Sequence, residues 1–267
     1  MLELVNGLPL PKGVSPSFPS LNPLWLAVVE GRQQGRVFVD SGDEPTGGLI
    51  CSTATGFYFL FGDPDASWVD RDLARLLGEI DHKAGWFGLL VERKHWRSRL
   101  QEIFGADTAT STRVQFGFDR RKAEDALASV VKTELSVVPM DEVTTPLVLS
   151  AGLSSVFGTL WPSMDDFLRD GFGFCVFHDG QAASACYTYS ACVSSGDVEI
   201  AVGTVESFRG RGLAKAVCGA AIQHCLDSRL SPQWSCLVDN VASIRLAQSL
   251  GYELGEEYTV FFPNLGN

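Results

Sequence analysis

The stretch VESFRGRGLAKAV (Val205–Val217) sets two glycines and two arginines one apart, between a hydrophobic run and an Ala-rich segment. The run before it, DVEIAVGTV (197–205), reads as a strand, and residues 213–226 read as a helix. A turn that leaves a strand and opens a helix places free backbone N–H groups at a helix N-terminus, and the aligned peptide dipoles add positive potential there. Gly210 and Gly212 let the backbone come close to an anion with no Cβ in the way. Arg209 and Arg211 can add charge-assisted hydrogen bonds. The small residues Ala216, Ala220 and Ala221 let the helix lie near a sheet. The stretch fits neither GxxxxGK[ST] nor a GxGxxG at the first turn of a βαβ unit.

Around this turn, residues 134–267 run β-α-α-β-β-β-α-β-α-β. ELSVVPMD gives a strand ending at Pro139, and the chain to about Ser155 reads as helical. Ser163 is placed to cap a short helix in SMDDFLRDG. FGFCVFHDGQAASACYTYSA reads as a hairpin turning at Asp179-Gly180. WSCLV (234–238) reads as a strand, NVASIRLAQSLG as a helix closed by Gly251, and EEYTVFF as a last strand. In the first half, GRVFVD and FYFLF resemble the later hairpin in texture, followed by the helical WVDRDLARLLGEID. The spacing suggests a degenerate repeat, but after Phe61 the chain reads GDPDASW where the later unit has RGRG. The expected division is 1–133 and 134–267, with a mixed α+β fold.

Totals narrow the function classes. The 267 residues carry a net charge of −11, of which about −9 falls in 134–267. A nucleic-acid-binding protein usually shows the opposite sign. The cluster Arg93, Lys94, Arg97 and Arg99 around Trp96 lies beside Glu92 and Glu102, and reads as a solvated helix face. No apolar run reaches the length of a membrane span, and the Pro- and Gly-rich start reads as an extended lead-in rather than a signal peptide. Seven cysteines without a CxxC pair read as reduced, buried side chains, which fits a cytoplasmic protein and needs no metal.

Arg209, Gly212 and Ala214 occupy the positions of the [QR]-x-x-G-x-[GA] signature, in the fuller form TVESFRGRGLA. With WSCLV, then Asn240 opening a helix that ends in LGY (250–252), the second half resembles the GNAT superfamily of acyl-CoA-dependent N-acyltransferases. GFGF (171–174), RGRGLA, Pro232–Cys236 and SIRLAQSLGY are similar to a bacterial subfamily with a divergent N-terminal half. The two-lobed layout is also similar to glycine N-acyltransferase-like proteins.

The resemblance implies a GNAT-type mixed sheet with flanking helices, preceded by a degenerate lobe without the cofactor motif. It implies acetyl-CoA as co-substrate. The pyrophosphate would lie on the backbone of Gly210, Arg211, Gly212, Leu213 and Ala214, with Arg209 beside it. The pantetheine arm would add to the backbone of Gly203, Thr204 and Val205 as an extra strand does, with Asn240 on its far side. The thioester would sit where strands 198–204 and 234–238 splay apart. An amine of a small acceptor would attack it directly, with an N–H near Thr204 polarising the carbonyl.

Glu199, among apolar residues on the central strand, is the candidate base, acting through water; Asp197 is next. The alternative for Glu199 is a structural carboxylate. Many family members place an acid Tyr seven residues after the Asn, but here that position is Ala247. Tyr252 reads as core, which leaves water or Ser243 as the acid. His178 reads as surface and Cys236 as a packed thiol. The loss of the Tyr keeps open a CoA-binding sensor without turnover. The chain is expected to act as a monomer or homodimer.

Overall fold

The computed structural model describes residues 1–4, 22–42, 45–91, 96–128, 136–154, 157–191 and 193–265. Cys192, Arg93, Lys94 and the division expected at 133/134 lie outside them. By compactness, Met1–Arg113 with Tyr258–Asn267 form one unit, and Val114–Glu257 form the other.

In the first unit, β1 (Leu2–Leu4), β2 (Arg36–Val39), β3 (Gly48–Cys51) and β4 (Phe57–Phe61) pair antiparallel in sequence order. Helix α2 (Ser67–Glu79) follows, and β5 (Gly88–Val91) returns parallel to β4. A parallel return needs a crossover of this length, and α2 supplies it. Its apolar spacing buries Trp68, Val69, Leu73, Leu76 and Leu77 against Phe38, Leu49, Tyr58 and Leu89. Helices α1 (Asn22–Val29) and α3 (Trp96–Phe104) complete the unit, and residues 260–261 pair antiparallel with β5. Trp96 is fully buried with its Nε1–H on the Gly62 carbonyl at 3.2 Å, and Arg99 pairs with Glu102 and Asp70. That indole is core, not a stacking platform for bases.

The second unit repeats the arrangement. The strands β7 (Val137–Pro139), β8 (Gly173–His178), β9 (Gln181–Thr188) and β10 (Asp197–Thr204) are antiparallel neighbours. Helix α8 (Leu213–Asp227) crosses over, and β11 (Ser231–Gln233) lies parallel to β10. The β8–β9 turn is Asp179-Gly180, both at positive φ, as such a hairpin requires. Helix α8 buries Leu213, Ala216, Val217, Ala221 and Ile222 on one side of the sheet. The short helices α5 (Thr144–Ser150), α6 (Phe157–Leu160) and α7 (Met164–Asp170) precede β8; Ser163 caps α7 by accepting the Asp166 N–H at 3.1 Å.

The expected strand 234–238 is cut at Trp234. Residues 231–233 stay on β10, whereas β12 (Ser235–Leu237) joins a group in the order β13–β6–β12, where β6 is Ala109–Phe118 and β13 is Tyr252–Phe262. Within the second unit, Phe116 N–H meets the Trp234 carbonyl at 3.0 Å. Helices α4 (Arg120–Ala128) and α9 (Val241–Ser249) finish the unit. Its core joins Val114 and Phe116 to Val217, Ala221, Trp234, Cys236, Ala247 and Tyr252. The fold is mixed α+β. No helix among the described residues is long and apolar enough to cross a membrane.

Candidate functional site

The loop between β10 and α8 is built from short-range constraints. A single 3-10 turn, Glu206–Phe208, closes with Phe208 N–H on the Val205 carbonyl at 2.9 Å, and Arg209 N–H then bonds the Glu206 carbonyl at 3.1 Å. Gly210 and Gly212 both sit at φ 75°, the left-handed region that is costly for residues with a Cβ. The first helical bond of α8 is Ala216 N–H to the Gly212 carbonyl, 3.1 Å. Between these two points, the N–H groups of Gly210, Arg211, Gly212, Leu213, Ala214 and Lys215 have no acceptor among the described residues. A Cβ built at Gly210 or Gly212 would meet nothing within 4 Å, so the space before these N–H groups is open. The guanidinium of Arg211 lies 5.3 Å above the Phe208 ring and donates to the Ser207 carbonyl at 3.3 Å; Nε of Arg209 is 3.5 Å from the Thr204 carbonyl. Neither arginine forms an ion pair among the described residues. Unpaired donors, a helix N-terminus and two uncompensated cations together fit a multiply charged anion such as a pyrophosphate.

Leading to this loop is an open strand edge. On one side β10 pairs with β9 throughout 200–204; on the other it pairs with β11 only at 197–199. Successive residues of a strand aim their main-chain groups to opposite edges. The Glu199 carbonyl takes Tyr189 N–H at 2.7 Å, and Val205 N–H bonds the Ala183 carbonyl at 3.0 Å. Residues 199, 201, 203 and 205 therefore face β9, and Ile200, Val202 and Thr204 face the open edge. Of the three residues expected to take an added strand, Thr204 offers its backbone. The Gly203 carbonyl accepts the Ser184 hydroxyl at 2.9 Å, and both main-chain groups of Val205 are engaged within the loop and sheet. Val202, which strand parity counted back from the turn would have found, also presents its backbone to the open edge.

Beside this edge, β10 turns Ile200 and Val202 toward the α8 core, and Glu199 to the opposite face. Glu199 is 4% exposed, the only buried carboxylate among the described residues of this unit. Its Oε1 accepts the Ser235 hydroxyl at 2.9 Å from β12, across the gap where β10 and β12 part company. Asp197 lies farther from the turn, accepting Gln233 Nε2 at 3.0 Å and the Ser195 hydroxyl at 2.7 Å.

Other candidates separate clearly. Asn240 caps α9, its Oδ1 accepting Ser243 N–H at 3.1 Å, which leaves its amide nitrogen to donate to a ligand. Ser243 Oγ accepts the Trp234 indole N–H at 3.0 Å and keeps its own proton to donate. Ala247 is fully buried in the core. Tyr252 is also core: 3% exposed, it donates to the Pro232 carbonyl at 3.1 Å, and burial pushes its phenol well up. Cys236 packs on the helix side, away from Glu199. His178 stands 5.1 Å from the Phe208 ring, beside Asp179. Among the described residues no three His, Cys, Asp or Glu side chains converge as a metal site would require.

The profile of the GNAT acetyltransferase family matches residues 18–261. An uncharacterized N-acetyltransferase of Bacillus subtilis (strain 168), YdfB, is 27% identical over 228 residues, 85% of each chain. The crystal structure of a GCN5-related N-acetyltransferase-like protein from Streptococcus suis 89/1591 superposes with a TM-score of 0.69 at 27% identity, covering 88% of this chain and 90% of that one. A tandem GNAT protein from the clavulanic acid biosynthesis pathway shares the fold at 15% identity, with a TM-score of 0.56 over 88% of this chain and 84% of its own. A profile match over nearly the whole chain, with a relative and a solved structure of the same kind, leads to one assignment: the protein belongs to the GNAT acetyltransferase family and is an N-acyltransferase of that type.

Proposed function

We propose that the protein moves an acetyl group from acetyl-CoA directly to the amine of a small acceptor. The observation that carries this reading is the row of N–H groups at 210–215 without acceptors, at the end of an open strand edge. The residues fit acetyl-CoA: the loop backbone with Arg209 and Arg211 holds the pyrophosphate, Val202 and Thr204 hold the pantetheine amides, and the Asn240 amide nitrogen donates from α9. The co-substrate supplies the activated acyl carbon. An N–H of the open edge, formed by Ile200, Val202 and Thr204, stabilises charge on the thioester oxygen. Glu199, through water, takes the proton that the attacking amine must lose. The departing sulfur collects a proton from water or from Ser243.

The first unit, by this reading, is a second GNAT-like lobe that lacks the cofactor motif. In support, β2–β3–β4–α2–β5 repeats the arrangement of β8–β9–β10–α8–β11. Its corresponding turn reads GDPDA (62–66), acidic where the second unit has two arginines. Such a turn repels phosphate rather than holding it.

A second reading, a CoA-binding sensor without turnover, has one observation in its favour: Ala247 is buried where the usual acid would stand. Calorimetric titration with acetyl-CoA and with CoA, followed by thiol release with amines, tests both. Micromolar binding with acceptor-dependent release supports the transferase. Binding without release supports the sensor, and no binding by a folded chain rejects both.

A further inference from the structure

Gln115 is 5% exposed, and neither the oxygen nor the nitrogen of its amide has a hydrogen-bond partner among the described residues. Most buried amides are satisfied, and one that is not needs a reason. The surroundings of Gln115 point to a ligand. Its neighbours Val114 and Phe116 face the α8 core, so by strand alternation Gln115 faces the other way, as Glu199 does. The Phe116–Trp234 hydrogen bond sets β6 beside β12, and Ser235, next to Trp234, already holds Glu199. Gln115 therefore lies about 5–8 Å from Ser235, the spacing of side chains on adjacent strands. Two residues on and on the same face, Gly117 leaves open space: a Cβ there would meet nothing within 4 Å.

We infer that Gln115 is a specificity residue that hydrogen-bonds the acceptor, next to the amine that Glu199 serves. The inference rests on the transferase reading above. A carboxamide presents a donor and an acceptor side by side. Its complement is a neutral group that also does both, such as an amide or a hydroxyl. A carboxylate satisfies only the nitrogen and brings a second negative charge near Glu199. An alkyl chain satisfies neither atom. The acceptor class is thus a small amine that carries a neutral amide or hydroxyl near its nitrogen.

The test follows thiol release from acetyl-CoA by the full chain and by Gln115→Leu and Gln115→Glu. The probes are β-alaninamide, ethanolamine, n-propylamine and β-alanine. Wild type is expected to favour β-alaninamide or ethanolamine over n-propylamine by about tenfold or more, carried by KM, because a site with buried polar groups rejects analogues that leave them unpaired. Gln115→Leu loses that preference while its melting temperature rises by about 2–4 °C, since the unmet buried amide is gone. A merely structural glutamine would not link those two changes. Gln115→Glu, close in shape, discriminates further against β-alanine and serves if the leucine variant does not fold. A preference unchanged in both variants overturns the inference. So does equal use of n-propylamine by wild type, or acetyl-CoA binding without turnover of any probe. Failure to bind acetyl-CoA is read beforehand by titration, and counts against the transferase reading instead.

Discussion

Gly212 offers the sharpest handle on the anion cradle, because its two roles predict separate numbers. It sits at φ 75°, ψ 3°, and a Cβ there meets nothing within 4 Å. A substitution thus creates no clash, and the cost to the unliganded fold is the left-handed backbone alone, about 1–2 kcal/mol. For a chain of this size that is a fall of roughly 2–8 °C in melting temperature. Binding should suffer more. Gly212→Ala puts a methyl group into the space before the free N–H groups. Gly212→Glu adds a like charge about 4–5 Å from where a phosphate lies in the proposed complex. At an effective dielectric of about 20 this repulsion is about 3–4 kcal/mol, and salt screening at an exposed loop brings it to roughly 2–4. The expected loss of acetyl-CoA affinity is about 30- to 1000-fold for glutamate and about tenfold for alanine. Calorimetric titration reads the affinity, and a thermal melt of the same sample controls for folding. A folded Gly212→Glu chain with wild-type affinity would refute the phosphate assignment.

Three further outcomes follow from single contacts. Glu199→Gln should keep acetyl-CoA affinity and lower kcat by about 100-fold, the usual scale of a lost general base; an unchanged kcat returns Glu199 to a structural role. Tyr252→Phe should cost about 1 kcal/mol of stability, from its bond to the Pro232 carbonyl, with kcat within about threefold of wild type; a large fall in kcat would make it the missing acid. Asp72, on α2, is held well below the usual carboxylate range by hydrogen bonds from Arg71 and then Arg75. A depressed pKa stabilises the fold fully above the unfolded value near 4, and the contribution is lost as pH falls from there through the lower folded value. Asp72→Asn should therefore lower the melting temperature at pH 7, and the gap to wild type should narrow progressively as pH falls from about 4 toward the lower folded value. A gap that persists in acid would mean that the packing of Asp72, not its charge, matters.

What the sequence made legible was local. The glycine turn, the Asp179-Gly180 hairpin and the Ser163 cap each depend on a few neighbouring residues, and each stands where the residue chemistry placed it. Among the described helices, α1, α4 and the single-turn α6 escaped notice. In α1 the run NPLWLAVV is apolar nearly all round, and α4 buries only Ala123 in a polar stretch, so neither shows a helical stripe. The cut at Trp234 was invisible because the partner of β12 lies more than a hundred residues earlier, and nothing local announces it. In the candidate site, the glycine turn was readable from its spacing, but that Gly203 and Val205 face β9 required knowing which edge β9 occupies. Gln115 stood in plain alternation, with Val114, Phe116 and Phe118 on one face. Its burial did not show, because burial depends on what covers a strand.

The division of the chain also bears on the order of its synthesis. The second unit is one continuous segment, 114–257, and every strand it needs has left the ribosome once that segment has emerged. The first unit begins earlier yet must wait, because the edge of β5 stays bare until residues 260–261 arrive to pair with it. The part of the protein that bears the anion turn is thus expected to close first, although it is made second. During elongation the older segment exposes an unpaired strand, the kind of edge that nascent chains tend to lose to aggregation or to chaperones.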